Sequence, residues 1–194
     1  MTQLLPSPVI HGVATVHPTV HHDDRGRFVE SYRQEWFAYV GPMVQANHAE
    51  RQAGAIVGLH YHRRQTDYWY VARGHARAVL HDLRRGSPTE GATLVTELGE
   101  VADAAHNHVG LLIPPGVAHG FAAITDLALT YLVDAYYDPT DELGLAWDDP
   151  AVGVDWGIAD PYLSERDRTN PKLVDIRTED RPAFDPLRSP ALDG

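Results

Sequence analysis

The stretches GLHYHRRQTD, at residues 58–67, and GLLIPPGVAH, at residues 110–119, decide the fold of this chain. Residues 110–113 of the second stretch form a short apolar run of the buried-strand type, which the turn signal Pro-Pro-Gly stops, and Gly74 follows the first stretch seven residues later. Side chains alternate between the two faces of a strand, so His60 and His62 point to the same face. If the two stretches lie on neighbouring strands, these imidazoles, the Asp67 carboxylate and His119 form one compact polar site.

The sequence around these stretches has the pattern of an all-β protein. Residues 127–133 alternate well, with Leu127, Leu129, Tyr131 and Val133 on one face, and residues 76–81 alternate in part. Many short strands without a long helical pattern indicate a sandwich or closed barrel. We expect short helices only at residues 33–39 and 161–169, the second capped by Ser164.

The length of 194 residues suits a single domain, 1–194. We expect a barrel core with N-terminal strands at residues 9–137. Loops, a short helix and a charged, proline-rich tail would follow at residues 138–194.

Composition limits the classes of binding partner and the cellular compartment that we expect for this protein. The net charge of −11 excludes a broad nucleic-acid footprint. The chain has no cysteine, its first residues lack the pattern of a signal peptide, and no apolar run approaches ~20 residues. We therefore expect a cytoplasmic protein without a membrane or nucleic-acid partner.

The set His60, His62, Asp67 and His119 resembles the paired motifs of the cupin superfamily. The resemblance implies a double-stranded β-helix, the jelly-roll barrel. Imidazole and carboxylate ligands suit iron, manganese, nickel or zinc. The alternative is that some of these histidines line the barrel or act as bases without a metal.

A longer resemblance runs from about residue 9 to residue 172. In order and spacing, a series of segments is similar to the dTDP-4-dehydrorhamnose 3,5-epimerase family, itself a cupin family. The segments are DRGRFVESY (24–32), QANH (45–48), GLHY (58–61), DLRRGSPT (82–89), IPPGVAHGF (113–121) and LSERD (163–167).

This resemblance implies an isomerase that epimerises a nucleoside-diphosphate 4-keto-6-deoxyhexose at carbon 3, carbon 5 or both. His60 would be the base that removes a proton beside the ketone, with Asp167 orienting it. Tyr131 would be the acid on the other face of the sugar ring. His119 and His62 would lie near the sugar.

The same resemblance implies a site for a nucleotide, dTDP, at Arg25, Phe28, Glu30, Gln45 and Asn47. Arginine offers paired contacts to phosphate, and the Phe28 ring could stack on a base. The family forms homodimers, to which residues 25–30 would contribute, and requires no cofactor.

Three departures from the family keep other hypotheses open. Asp67 stands where the family has the lysine that stabilises the enolate, Val57 stands where it usually has arginine, and His62 stands where it usually has glutamine. Arg63 or Arg64 could turn inward to replace the lost charge, His62 could donate a hydrogen bond, or a divalent metal at His60, His62, Asp67 and His119 could act as a Lewis acid. The alternatives are a metal-dependent cupin oxygenase or isomerase, and a sugar-nucleotide binding protein without catalysis.

Overall fold

The protein is described from a computed structural model covering residues 1–37, 39–101 and 106–189. The strands of these residues, in chain order, are β1 (Gln3–Pro6), β2 (Ala14–His17), β3 (Val20–Asp23), β4 (Gly26–Val29), β5 (Gln45–Arg51), β6 (Ile56–Tyr61), β7 (Asp67–Arg73), β8 (His75–Asp82), β9 (Thr93–Gly99), β10 (Gly110–Ile113), β11 (Val117–Ala123), β12 (Leu127–Val133) and β13 (Leu143–Gly144). The all-β prediction is confirmed.

The strands form two large antiparallel sheets and one hairpin. The six-stranded sheet has the order β1-β2-β10-β7-β12-β5, and the five-stranded sheet has the order β13-β6-β11-β8-β9. Strands β3 and β4 pair only with each other. Consecutive strands along the chain often lie in different sheets, as in a jelly roll.

Helices are few and short. The one α-helix of the described residues is α1 (Glu165–Thr169), and 3-10 turns occupy Gln34–Phe37, Leu173–Asp175 and Thr178–Asp180. Both predicted helices are therefore shorter than expected, although Ser164 does cap α1, accepting a hydrogen bond from the Asp167 amide. Within the predicted ranges, Ala38, residues 102–105 and residues 190–194 lie outside the described residues. No described helix has the length and apolar character needed to cross a membrane.

Strand β11 shows where the core lies, because all seven of its residues are buried. Val117 and Phe121 belong to the apolar cluster between the two large sheets. Ala118 and Ala122 belong to a second cluster on the opposite face, together with Leu145 and other side chains of the C-terminal segment. The segment after β13 thus covers the outer face of the five-stranded sheet, which brings its polar residues close to β6.

A break in the register of β6 turns His60 inward. The pairing of β6 with β11 shifts between His119 and Phe121. Val57 packs in the cluster between the sheets and Leu59 in the outer cluster, so strict alternation is interrupted at Gly58. Gly58 has a φ of +109°, and a Cβ there would lie 2.7 Å from the His119 carbonyl oxygen. Only glycine fits this close approach between strands.

Candidate active site

A cavity of about 200 Å³ lies between the two large sheets. Strands β5, β7 and β12 of one sheet and β6 and β11 of the other supply much of its lining. Five of the side chains singled out from the sequence line it: His60, His62, Asp67, His119 and Tyr131.

His60 is held from behind by a buried carboxylate. Its Nε2 donates to Asp167 Oδ1 over 2.6 Å, and the Ser164 hydroxyl donates to Asp167 Oδ2 over 2.7 Å. Burial alone would raise the pKa of Asp167, but these hydrogen bonds outweigh it and hold that pKa below its ordinary value. Asp167 is therefore an ionised acceptor. In a neutral imidazole whose Nε2 donates, the lone pair lies on Nδ1.

Tyr131 enters the cavity from the opposite sheet. It lies on β12, paired with Trp69 of β7 and Asn47 of β5. Burial, together with the negative charges of Asp67 and Glu142, raises the pKa of Tyr131 above its ordinary value. The phenol therefore stays protonated at neutral pH and can act as a proton donor.

The loop between β12 and β13 fixes His62. His62 Nδ1 donates to the Asp141 carbonyl oxygen over 2.8 Å, and the Asp141 carboxylate accepts the backbone amides of Arg63 and Arg64. Side chains of Arg63 and Arg64 bond instead to Asp180 and Asp138, near the surface. Neither arginine lines the cavity.

Asp67 and His119 face each other inside the cavity. Asp67 Oδ1 accepts from the Gln65 amide over 2.8 Å and Oδ2 from the Trp69 indole over 3.3 Å. His119 Nδ1 donates to the Val117 carbonyl oxygen over 2.9 Å, and its Nε2 lies 3.7 Å from Asp67 Oδ2. Burial lowers the pKa of His119 to about 4, so the ring is neutral at pH 7.

The residues expected to hold the nucleotide lie apart from this centre. Gln45 donates to Asn47 on β5, and both share a strand face with the cavity residues Ala49 and Arg51. The other three lie on the β3–β4 hairpin or just after it, and none lines the cavity: Arg25, Phe28 and Glu30. The Arg25 side chain is 89% exposed and pairs with Asp23, while Phe28 is 70% exposed.

Three charged residues of the cavity were missed in the sequence. Glu142 and Arg166 form an ion pair of 3.0 Å, and Arg51 lines the cavity from the end of β5. Glu142 follows a turn and Arg166 is one of four consecutive charged residues, so no local pattern distinguishes them. Only the packing of the C-terminal segment on β6 brings them here.

Comparison with known proteins agrees with this geometry. The family model for dTDP-4-dehydrorhamnose 3,5-epimerase matches residues 8–175. The chain belongs to this family. It is 38% identical over 154 residues to the spore coat polysaccharide biosynthesis protein SpsL of Bacillus subtilis, covering 76% of this chain and 97% of SpsL. It is 37% identical over 174 residues to the dTDP-4-dehydrorhamnose 3,5-epimerase of Pseudomonas aeruginosa, covering 86% and 93% of the two chains.

A solved structure of the family has the same fold. The epimerase RmlC of Legionella pneumophila, in complex with dTDP-4-keto-L-rhamnose, superposes with a TM-score of 0.86 at 27% identity, covering 95% of this chain and all of that one. The expected family, its epimerase class and the cupin-type fold are therefore confirmed. Within the described residues of this epimerase, no strand of one large sheet pairs with a strand of the other.

Proposed function

We propose that this epimerase acts on a dTDP-linked 4-keto-6-deoxyhexose, with His60 as the base and Tyr131 as the acid. One observation carries the proposal: His60 and Tyr131 come from opposite sheets and line the same cavity. Inversion at a carbon requires that one group removes a proton from one face and another group returns one to the other face. Two sheets facing each other across a cavity provide that arrangement.

The first step is removal of a proton from the carbon beside the ketone. The proton passes to His60 Nδ1, and the electron pair of the C–H bond forms the carbon–carbon double bond of an enolate, with the charge on the keto oxygen. Asp167 keeps Nε2 protonated and stabilises the imidazolium that forms, because its carboxylate is ionised and buried.

The second step is protonation from the opposite face. The Tyr131 hydroxyl gives its proton to the same carbon, the ketone re-forms, and the configuration is inverted. The phenolate then recovers a proton from water, and His60 releases its proton to water. No organic cofactor is needed for these transfers.

The proposal extends to the nucleotide and to a homodimer. The β3–β4 hairpin belongs to neither large sheet and exposes both an arginine and an aromatic ring, Arg25 and Phe28. An arginine can bind a diphosphate and an aromatic ring can stack on a nucleobase, but neither side chain lines the cavity of its own chain. A second copy of the chain could bring its hairpin to the rim of this site, next to Gln45 and Asn47.

Solvent-deuterium exchange tests the base. The enzyme is incubated in deuterated water with dTDP-4-keto-6-deoxyglucose, and the sugar nucleotide is analysed by mass spectrometry. We expect one or two deuterons to be gained, one for a single epimerisation and two for a double one. The His60→Asn variant should reduce the exchange rate about 10²–10⁴-fold.

A matched control is His48→Asn, since the His48 side chain is 58% exposed and lies outside the cavity. It should exchange like the unaltered protein. Absence of exchange in the unaltered protein, or equal exchange in His60→Asn, would contradict the proposal.

A further inference from the structure

Two imidazoles and one carboxylate in the cavity have the arrangement of a metal site. The ligand atoms offered by His62, Asp67 and His119 all lie within 4.8 Å of one another, and all three residues are buried. Bonds of about 2.1 Å to one cation would bring such atoms to about 3.0–3.5 Å from each other. The separation of 3.7 Å between His119 Nε2 and Asp67 Oδ2 needs only a small contraction.

The hydrogen bonds of His62 and His119 engage Nδ1 of each ring and leave Nε2 available to a metal ion. Nδ1 of His62 and Nδ1 of His119 each donate to a backbone carbonyl, those of Asp141 and Val117. In a neutral imidazole the other nitrogen, Nε2, then carries a lone pair. Metal-bound histidines almost always donate their second nitrogen in this way, which fixes the tautomer.

Asp67 is also supported from behind, by Gln65 and Trp69. The Trp69 ring packs edge-on against His119, with ring centroids 5.3 Å apart. His119 Nε2 and Asp67 Oδ2 lie 3.7 Å apart, which is too far for a hydrogen bond between them. A cation between these two atoms would be attracted both by a carboxylate and by a nitrogen lone pair.

His60 does not belong to this cluster. Its Nε2 is bonded to Asp167, on the side of the C-terminal segment. The four-ligand set expected from the sequence is therefore reduced to three. This removes a conflict, because a metal-bound His60 could not also be the free base.

We propose that His62, Asp67 and His119 bind one divalent first-row transition-metal ion. Two imidazoles and one carboxylate leave coordination positions open toward the cavity, and this donor set suits iron, manganese, cobalt, nickel or zinc. The bound cation supplies positive charge where the keto oxygen of the sugar becomes an enolate oxygen, a role that rests on the proposed function. Of the two arginines that line the cavity, Arg166 is already paired with Glu142.

Cobalt(II) is the probe that tests the site directly. The protein is stripped of metal with a chelator and titrated with Co²⁺ while the visible absorption of the ion is recorded. We expect saturation at one equivalent. Each of the variants His62→Gln, Asp67→Asn and His119→Gln should weaken binding more than about 100-fold, because even the loss of an outer-shell partner costs 10–100-fold.

His60→Asn is the matched control, since it removes a histidine of the same cavity from outside the cluster. It should bind Co²⁺ like the unaltered protein while losing deuterium exchange. Equal Co²⁺ binding by the unaltered protein and the three ligand variants would overturn the metal site.

Chelation experiments distinguish an error in the proposed function from an error in the proposed metal site. With the site intact, chelation should slow deuterium exchange at least about 100-fold, and Co²⁺ should restore it. Full exchange in chelated protein that binds no Co²⁺ would overturn the inference and leave the epimerase proposal standing. One-equivalent Co²⁺ binding without any exchange would uphold the site and overturn the proposed function.

Discussion

At the scale of single residues, Asp167 shows what local sequence cannot reveal. It lies in the charged segment Glu165–Arg168, where a solvated carboxylate would be ordinary, yet its side chain is 4% exposed. Its burial follows from contacts with β6, more than 100 positions earlier in the chain. The resemblance to a family identified this residue, whereas its neighbours in sequence did not.

Replacement of Asp167 by asparagine tests its action through His60. The amide cannot stabilise an imidazolium and can hold the ring in the wrong tautomer. We expect kcat to fall about 10²–10⁴-fold while KM changes only a few-fold. Steady-state kinetics measure this split, with Asp167→Glu as the conservative variant that should recover part of kcat. A loss confined to KM would contradict the role.

The departures from the family pattern also have a meaning at this scale. Asp67 and His62, two residues at which the sequence was expected to depart from the family, lie in the cavity beside His119 and are potential ligands. The sequence alone could not show that His60 bonds elsewhere. It also could not show which imidazole nitrogen each histidine leaves free.

At the scale of elements, alternation predicted some strands well and irregular segments poorly. Strands β10 and β12 have the predicted limits, and β12 places Leu129 and Tyr131 on the cavity face as its pattern indicates. Helices at residues 33–39 and 161–169 were predicted too long. Ser164, for example, accepts a hydrogen bond from the Asp167 amide as the N-cap, so α1 begins at Glu165, later than predicted. Local helix propensity does not account for such side-chain hydrogen bonds to the backbone, which compete with helical hydrogen bonds.

The end of β8 contains a buried ion pair whose contribution can be measured. The Asp82 carboxylate accepts from Arg84 Nε over 2.7 Å and from the hydroxyls of Ser87 and Thr89. Arg84 in turn donates to the His11 carbonyl oxygen and to Ser189. The pair therefore ties the loop after β8 to segments near both ends of the chain.

Replacement of Asp82 by asparagine should lower the free energy of unfolding by about 3–5 kcal/mol at pH 7, because it leaves Arg84 buried without its counter-charge. Burial would raise the pKa of Asp82, but the bonds and charge of Arg84 outweigh it and lower that pKa below 3.8. The stabilisation is thus present above pH 3.8 and lost as the pH falls through the lower, folded value.

Urea denaturation followed by tryptophan fluorescence, between pH 7 and pH 3, measures the difference between the two proteins. The difference should shrink toward the acid end. The double variant Asp82→Asn, Arg84→Met should recover part of the loss at pH 7. An equal difference at every pH would contradict the assigned ion pair.

At the scale of the whole molecule, function depends on two sheets that meet around one cavity. Long-range pairing places β6 beside β11 and β12 beside β7, and the C-terminal segment closes the outer face of the five-stranded sheet. Composition and alternation predicted the all-β class. The pairing order and the covering segment depend on contacts across the whole chain, which strand patterns do not encode.

The stereochemistry of deuterium incorporation by Tyr131→Phe tests the central claim most directly. The variant is incubated in deuterated water with dTDP-4-keto-6-deoxyglucose, and the position and configuration of each deuteron are read by NMR. The phenyl ring keeps the packing on β12 but cannot donate a proton. His60 should therefore still exchange the proton on its own face, with retained configuration, while inversion falls about 10²–10⁴-fold. Inversion at the rate of the unaltered protein would contradict the account of base and acid on opposite sheets.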